Sequence, residues 1–172
     1  AVIIAALLWS LDAFLRQSLY SLSPLLVITL EHGIGSLLFT PILIHNWGRI
    51  KKLKQTVWIS LLWISILGGM GGTYFYTKAL SYVGYIDLSV VVLLQKFQPL
   101  FAVSLAAIVL KEKLSKRYLA LALCAMIGGY LVTFGSDSIS IGDNNTLIAA
   151  LFSLLAAFCW GSSTVLGKQA LI

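Results

Sequence analysis

Apolar stretches close to 20 residues long recur from one end of the chain to the other, and no other feature restricts its folding as severely. An α-helix rising about 1.5 Å per residue crosses a hydrocarbon layer about 30 Å thick in just such a length. Inside that layer backbone amides find no water, so only helices and closed barrels satisfy them. The stretches lack the alternation of barrel strands, which leaves helices. Of 172 residues, 59% are hydrophobic and 10% charged, against roughly 25% charged in a soluble domain. The expected fold class is therefore all-α, a polytopic transmembrane helical bundle with the lipid bilayer as its first partner.

Hydropathy places six spans, at Ala1–Leu19, Pro24–His45, Val57–Thr77, Ile86–Leu110, Tyr118–Phe134 and Thr146–Lys168. Short connectors make neighbouring helices antiparallel. The net charge of +6 comes largely from two loops. One holds Arg49, Lys51, Lys52 and Lys54, the other Lys111, Lys113, Lys116 and Arg117, whereas Lys78 stands alone near the opposite connectors. This is the positive-inside pattern, and it sets the amino terminus in the cytoplasm of an integral, plasma (inner) membrane protein. It orients a membrane protein and does not point to nucleic acid. Cys124 and Cys159 sit singly within spans, without metal or disulfide spacing, and read as small core residues. No metal site and no cofactor is expected.

The chain has no initiator Met and no signal-peptide pattern, so it reads as an excerpt opening in or just before a first span. Residues 1–135 form one five-helix unit, 136–145 a polar extracytoplasmic connector, and 146–172 the first helix of a truncated second unit. AALLWS at Ala5–Ser10 has a loose echo in AAFCWG at Ala156–Gly161, 151 positions later. An odd number of spans between copies inverts the second copy in the membrane, a recurrent plan of secondary transporters.

Several motifs in order carry a family resemblance. They are Trp9-Ser10, Leu22-Ser23-Pro24, the glycine-rich third span with Tyr74, Ala79 and Leu80, and Gln98-Pro99-Leu100-Phe101. Lys111-Glu112-Lys113-Leu114-Ser115, Gly128-Gly129 and Trp160-Gly161-Ser162-Ser163 with Lys168 complete the set. The chain resembles the drug/metabolite transporter superfamily and, within it, the EamA-like transporters. That resemblance implies ten helices in two inverted repeats, a central substrate cavity and alternating access. It also implies that the missing second-repeat helices, or an oligomer partner, complete the cavity. Where the family commonly carries Arg in the second span, this chain has Glu31 followed by His32.

Ionisable and polar groups inside the spans are the candidate site. Lys96 at the bilayer centre costs about 2.5–3.5 kcal/mol on insertion scales, so it faces the bundle interior. Gln95, Gln98 and Pro99 share nearly one helix face with Lys96 about 100° away. Proline removes the amide that would bond the Gln95 carbonyl, giving a kinked, polar wall of a substrate path. The bland alternative is a buried pair of Lys96 with a carboxylate. Asp12 and Arg16, four apart, either neutralise each other or leave Arg16 snorkelling to the outer interface.

Glu31 pairs with Lys96, binds a cationic group of the substrate, or carries a proton; His32 more simply satisfies an interhelical hydrogen bond. Gly68 and Gly72, four apart in GGMGG, serve close helix packing or a gating hinge. Tyr74, Trp9 and Trp160 line a cavity for an apolar or aromatic moiety, or fill the interior. Asp87 and Lys78 fall at span ends, as a cap and a snorkelling residue.

The candidate substrate-binding set is thus Trp9, Asp12, Glu31, His32, Tyr74, Gln95, Lys96, Gln98 and Trp160, with Pro99, Gly68 and Gly72 as kink or hinge. The expected function is export or facilitated passage of a small-molecule metabolite such as an amino acid. The alternatives are a small oligomeric multidrug-type exporter or a membrane assembly protein. An intramembrane enzyme is disfavoured, since no Ser–His pair and no His/Asp metal cluster is present.

Overall fold

A computed structural model describes residues 2–19, 21–82, 84, 88–134 and 144–171. All regular structure among them is helical: α1 Val2–Gln17, α2 Pro24–Ile50, α3 Gln55–Trp63, a π-helical segment Ile64–Gly71, α4 Gly72–Leu80, α5 Leu88–Gln95, α6 Gln98–Val109, α7 Lys116–Phe134 and α8 Asn144–Leu171. Four stretches are long and apolar enough to cross a bilayer: Pro24–Ile50, Gln55–Leu80, Leu88–Val109 and Asn144–Leu171. Helices α1 and α7 occupy the expected first and fifth spans and are shorter, at 16 and 19 residues. The connector expected at 136–145 and the cap expected at Asp87 lie largely outside the described residues.

Local chemistry sets the helix ends. Pro24 opens α2, where its missing N–H costs nothing, and Ser23 Oγ accepts from Leu26 N at 3.3 Å as the cap. The expected kink near Pro99 is a full break one turn upstream. Helix α5 stops at Gln95, Lys96 and Phe97 form a turn, and Pro99 lies in the first turn of α6. A proline ring clashes with the carbonyl four residues before it, which is that of Gln95, so the break falls where the clash would be. After α6 the chain turns sharply through Lys111, whose φ of 55° is left-handed and costs a non-glycine residue about 1–2 kcal/mol.

Helix α8 is the centre of the bundle. Its buried residues are Ala149, Ser153, Ala156, Ala157, Cys159, Gly161, Ser162 and Val165, nearly all small. Small residues let helix backbones approach closely, which is how helices associate where lipid removes the hydrophobic drive. The core joins this stripe to Tyr76, Ala79 and Leu80 of α4 and Val90 and Val91 of α5, with Phe75, Phe152 and Trp160 packed around it. On the α6 side, a Cβ at Gly161 would lie 2.9 Å from Gln98 O and 3.0 Å from Ala102 N. Helices α1 and α2 instead leave Leu7, Leu8, Leu37, Leu38 and Phe39 exposed.

Candidate functional site

Three polar or irregular regions meet the spans at depth. The first is an ion-pair cluster joining three helices. Arg16, near the end of α1, donates from Nε to Asp12 Oδ2 at 2.8 Å and Oδ1 at 3.0 Å. Its Nη2 donates to Glu31 Oε2 on α2 at 2.9 Å, and its Nη1 to Thr77 Oγ1 on α4 at 3.1 Å. The planar guanidinium fork has donors enough for all three at once, which a lysine ammonium could not match in this geometry. The Arg16 side chain is 11% exposed, Asp12 31% and Glu31 44%. The local pairing of Asp12 with Arg16 therefore forms. Glu31 takes Arg16 rather than Lys96.

The second region is the α5–α6 break. From Leu88 to Lys96 is about 12 Å of helix, so the break sits deep in the span. Gln95 is buried and its Nε2 donates to Gln98 Oε1 at 3.4 Å across the break. Lys96 is exposed, and its Nζ lies 5.8 Å from the ring centroid of Trp9 on α1, a cation–π approach. Among the described residues the ion pairs are Arg16–Asp12, Arg16–Glu31 and Lys168–Glu112, so Lys96 has no carboxylate partner there. Tyr118 OH donates to Pro99 O at 3.5 Å.

The third region is the π-helical segment, where the widened turn of the third span carries GGMGG. His32 Nδ1 lies 3.1 Å from Ile28 O, and its Nε2 would be 3.1 Å from a Cβ at Gly69. A Cβ at Gly72 would meet Trp160 Nε1 at 2.6 Å, and one at Gly68 would collide with Ser163 Oγ. Gly68 and Gly72 thus sit in close helix contact with α8. Trp160 stacks obliquely on Tyr76, centroids 5.5 Å apart, while Tyr74 sets its edge to Phe75 at 5.6 Å.

The structure therefore joins the sequence-derived residues in separate groups. Trp9 meets Lys96, Gln95 meets Gln98, Asp12 and Glu31 share Arg16, and Trp160 covers Gly72. The sequence alone presents Arg16 only as a local partner or snorkelling residue and gives no sign of Thr77 or of Trp63, whose Nε1 donates to Ser162 Oγ at 3.2 Å. The charge four residues from Asp12 was the available signal for Arg16. Thr77 and Ser162 gave none, since a lone hydroxyl in a span usually bonds its own helix.

Three hollows border these groups. One of about 440 Å³ is lined by Asp12, Arg16, Glu31, Leu19, Leu22 and Val27. One of about 370 Å³ lies along α2 at Glu31, His32, Gly35, Ser36 and Phe39. A third of about 440 Å³ lies between α3, α6 and α8, with Trp63, Phe158, Ser60 and Ser162 on its walls. All three are open grooves on the side of the bundle and not enclosed cavities.

Comparison with known proteins assigns the kinship. Over 99% of its length the chain is 40% identical to a protein of Fusobacterium nucleatum subsp. nucleatum named riboflavin transporter ImpX, covering 58% of that protein. It is 26% identical, over 97% of its length, to the uncharacterized transporter YoaV of Bacillus subtilis, covering 56% of it. The chain thus spans a little over half the length of these curated relatives. No solved structure matches. The kinship is with transporters and not with enzymes. Residues 1–134 match the model of the EamA-like transporter family, and the chain belongs to that family.

Proposed function

We propose that this chain is the first five-helix repeat, with the first helix of the second, of a ten-helix secondary transporter that moves a small organic metabolite by alternating access. In this reading six spans cross the plasma membrane, and the basic loops at Arg49–Lys54 and Lys111–Arg117 hold the amino terminus in the cytoplasm. One observation carries it: deep in the span, a broken helix presents over a tryptophan a lysine that has no carboxylate partner among the described residues, beside a glutamine pair. Broken helices at the midplane are where transporters of this plan bind substrate. A lysine at that depth without a carboxylate partner is costly unless it borders a cavity.

The substrate we propose is riboflavin or a similar flat vitamin. The name of the 40% identical relative supports this class, and so does the chemistry, since an exposed Trp9 offers a stacking face and Gln95, Gln98 and Lys96 offer hydrogen bonds to a ring edge. A zwitterionic amino acid, with its carboxylate on Lys96 and its amine on Glu31, is less well supported, because Glu31 is engaged by Arg16.

The test uses the full-length parent protein in a bacterium that cannot make riboflavin and lacks its own uptake system. Growth on limiting riboflavin and uptake of labelled riboflavin are expected. Trp9→Ala and Lys96→Met should each lower uptake about tenfold at equal membrane abundance, the loss of roughly 1.4 kcal/mol of recognition. Wild-type uptake that amino acids abolish and flavins leave alone would sink the substrate assignment.

A further inference from the structure

We propose that the groove between α3, α6 and α8 holds one anionic phospholipid, with an acyl chain laid along the helices and the phosphate at the basic loops. The proposal uses the membrane orientation given above and is independent of the substrate.

The walls are the starting point. Carboxylates border the two grooves beside α2, whereas this one, of about 440 Å³, has no ionisable side chain on its walls. Its deeper polar groups are already engaged within the protein. Ser60 Oγ donates to Thr56 O at 3.1 Å, Trp63 Nε1 donates to Ser162 Oγ at 3.2 Å, and Ser162 Oγ donates to Cys159 O at 2.8 Å. A ligand with polar edges would be desolvated there without gaining free partners, which a hydrocarbon chain does not need. The groove opens on the side of the bundle, with Ile59 58% and Phe158 37% exposed on its walls. In a bilayer that side faces lipid.

Depth and charge then name the lipid. From Phe158 to Gln169 is about 16 Å of helix, close to half of a hydrocarbon layer about 30 Å thick. The groove is one leaflet deep. Its outer end, at Thr56, Val109 and Gln169, lies where the chain enters α3, leaves α6 and nears the end of α8. Lys54 stands two residues before Thr56, Lys111 two residues after Val109, and Lys113 just beyond, all three exposed. Among the described residues none of the three has a carboxylate partner, because Glu112 is taken by Lys168 beside Gln169. An uncharged, apolar groove thus ends under an excess of positive charge. Basic residues at this level attract anionic headgroups, and a zwitterionic headgroup offers them no net charge. The rest of a longer parent chain, or a second copy, could also cover an apolar groove, but neither accounts for the lysines at its mouth.

The experiment uses the full-length parent protein, stripped of lipid in detergent and offered equal amounts of phosphatidylglycerol and phosphatidylcholine with the same acyl chains. Native mass spectrometry reads what stays bound. The wild type should retain one phosphatidylglycerol in about tenfold preference to phosphatidylcholine. The double variant Lys54→Gln, Lys113→Gln should lose most of that preference, and Ile59→Trp, which puts a ring into the groove, should lose the retained lipid of either kind. The wild-type measurement needs no variant, so a variant that misfolds leaves the test standing. Equal retention of both lipids by the wild type would overturn the headgroup assignment. No retained lipid would mean that the protein's own remaining segments fill the groove, and a dimer that Ile59→Trp converts to monomer would give it to a second copy. Either outcome overturns the proposal, as does undiminished retention in both variants.

Discussion

The face where α8 meets the rest of the bundle and the face where α1 meets α2 and α4 are assembled by opposite means. Around α8 a stripe of small side chains packs against apolar and aromatic groups and bare backbone, with Gly161 against Gln98 O and Gly72 under the Trp160 indole. Around α1 they are charges and hydroxyls, with Arg16 reaching three partners across three helices. At its two glycine contacts the first arrangement has no room for a larger side chain, and it holds almost nothing to titrate. The second is open, partly exposed and chemically responsive. In the alternating-access cycle proposed above, the first would move as a body and the second would carry the events.

The sharpest way to break this contrast is at Gly161. A leucine there drives atoms into the backbone of α6 and not into a flexible side chain, so the helices must separate. Overpacking of this kind costs about 1–3 kcal/mol or more. Gly161→Leu should leave little folded full-length protein in the membrane, read as loss of a monodisperse peak and a large fall in thermal midpoint in detergent. Near-normal yield and midpoint would mean that α8 is not the packed centre described here.

That centre was only partly legible in the sequence. A disturbance at Pro99 follows from proline chemistry, a local property, but the sequence pointed to a kink and not to the full break between Gln95 and Gln98. The stripe from Ala149 to Val165 is visible as small residues, but nothing in its spacing names α4 and α6 as its neighbours. The π-helical turn at Ile64–Gly71 was equally silent, since GGMGG permits close packing without dictating an extra residue per turn. At the charged face the i, i+4 pair was readable, whereas the reach of Arg16 to Glu31 and Thr77 depends on how three helices dock.

A second change sharpens the contrast from the charged side. Arg16→Gln removes the cation and leaves Asp12 and Glu31 facing each other with a charge of −2. Losing one partner of a well-buried pair costs about 3–5 kcal/mol, and the partial exposure of both carboxylates brings the expectation nearer about 2 kcal/mol. The triple variant Asp12→Asn, Arg16→Gln, Glu31→Gln carries no charge in the cluster and should recover most of that loss. Thermal midpoints of the single and triple variants, measured side by side, decide the matter. If the single variant is as stable as the wild type, the cluster is not an energetic link between α1, α2 and α4.

The smallest effect is expected at the water-exposed end of α8, where Lys168 Nζ donates to Glu112 Oε1. The left-handed Lys111 turns the chain so that Glu112 falls beside α8, with Glu112 N donating to Ala106 O at 3.4 Å. Both side chains are about half exposed, 55% for Lys168 and 42% for Glu112. Such a pair is worth about 0–1 kcal/mol and is screened by salt, with a Debye length near 8 Å at physiological ionic strength. Glu112→Gln should therefore shift the midpoint slightly at low salt and not measurably at 1 M. A salt-independent loss as large as that of Arg16→Gln would show that the loop after α6 clamps α8, and the division between a packed face and a charged face would then have to extend beyond the spans.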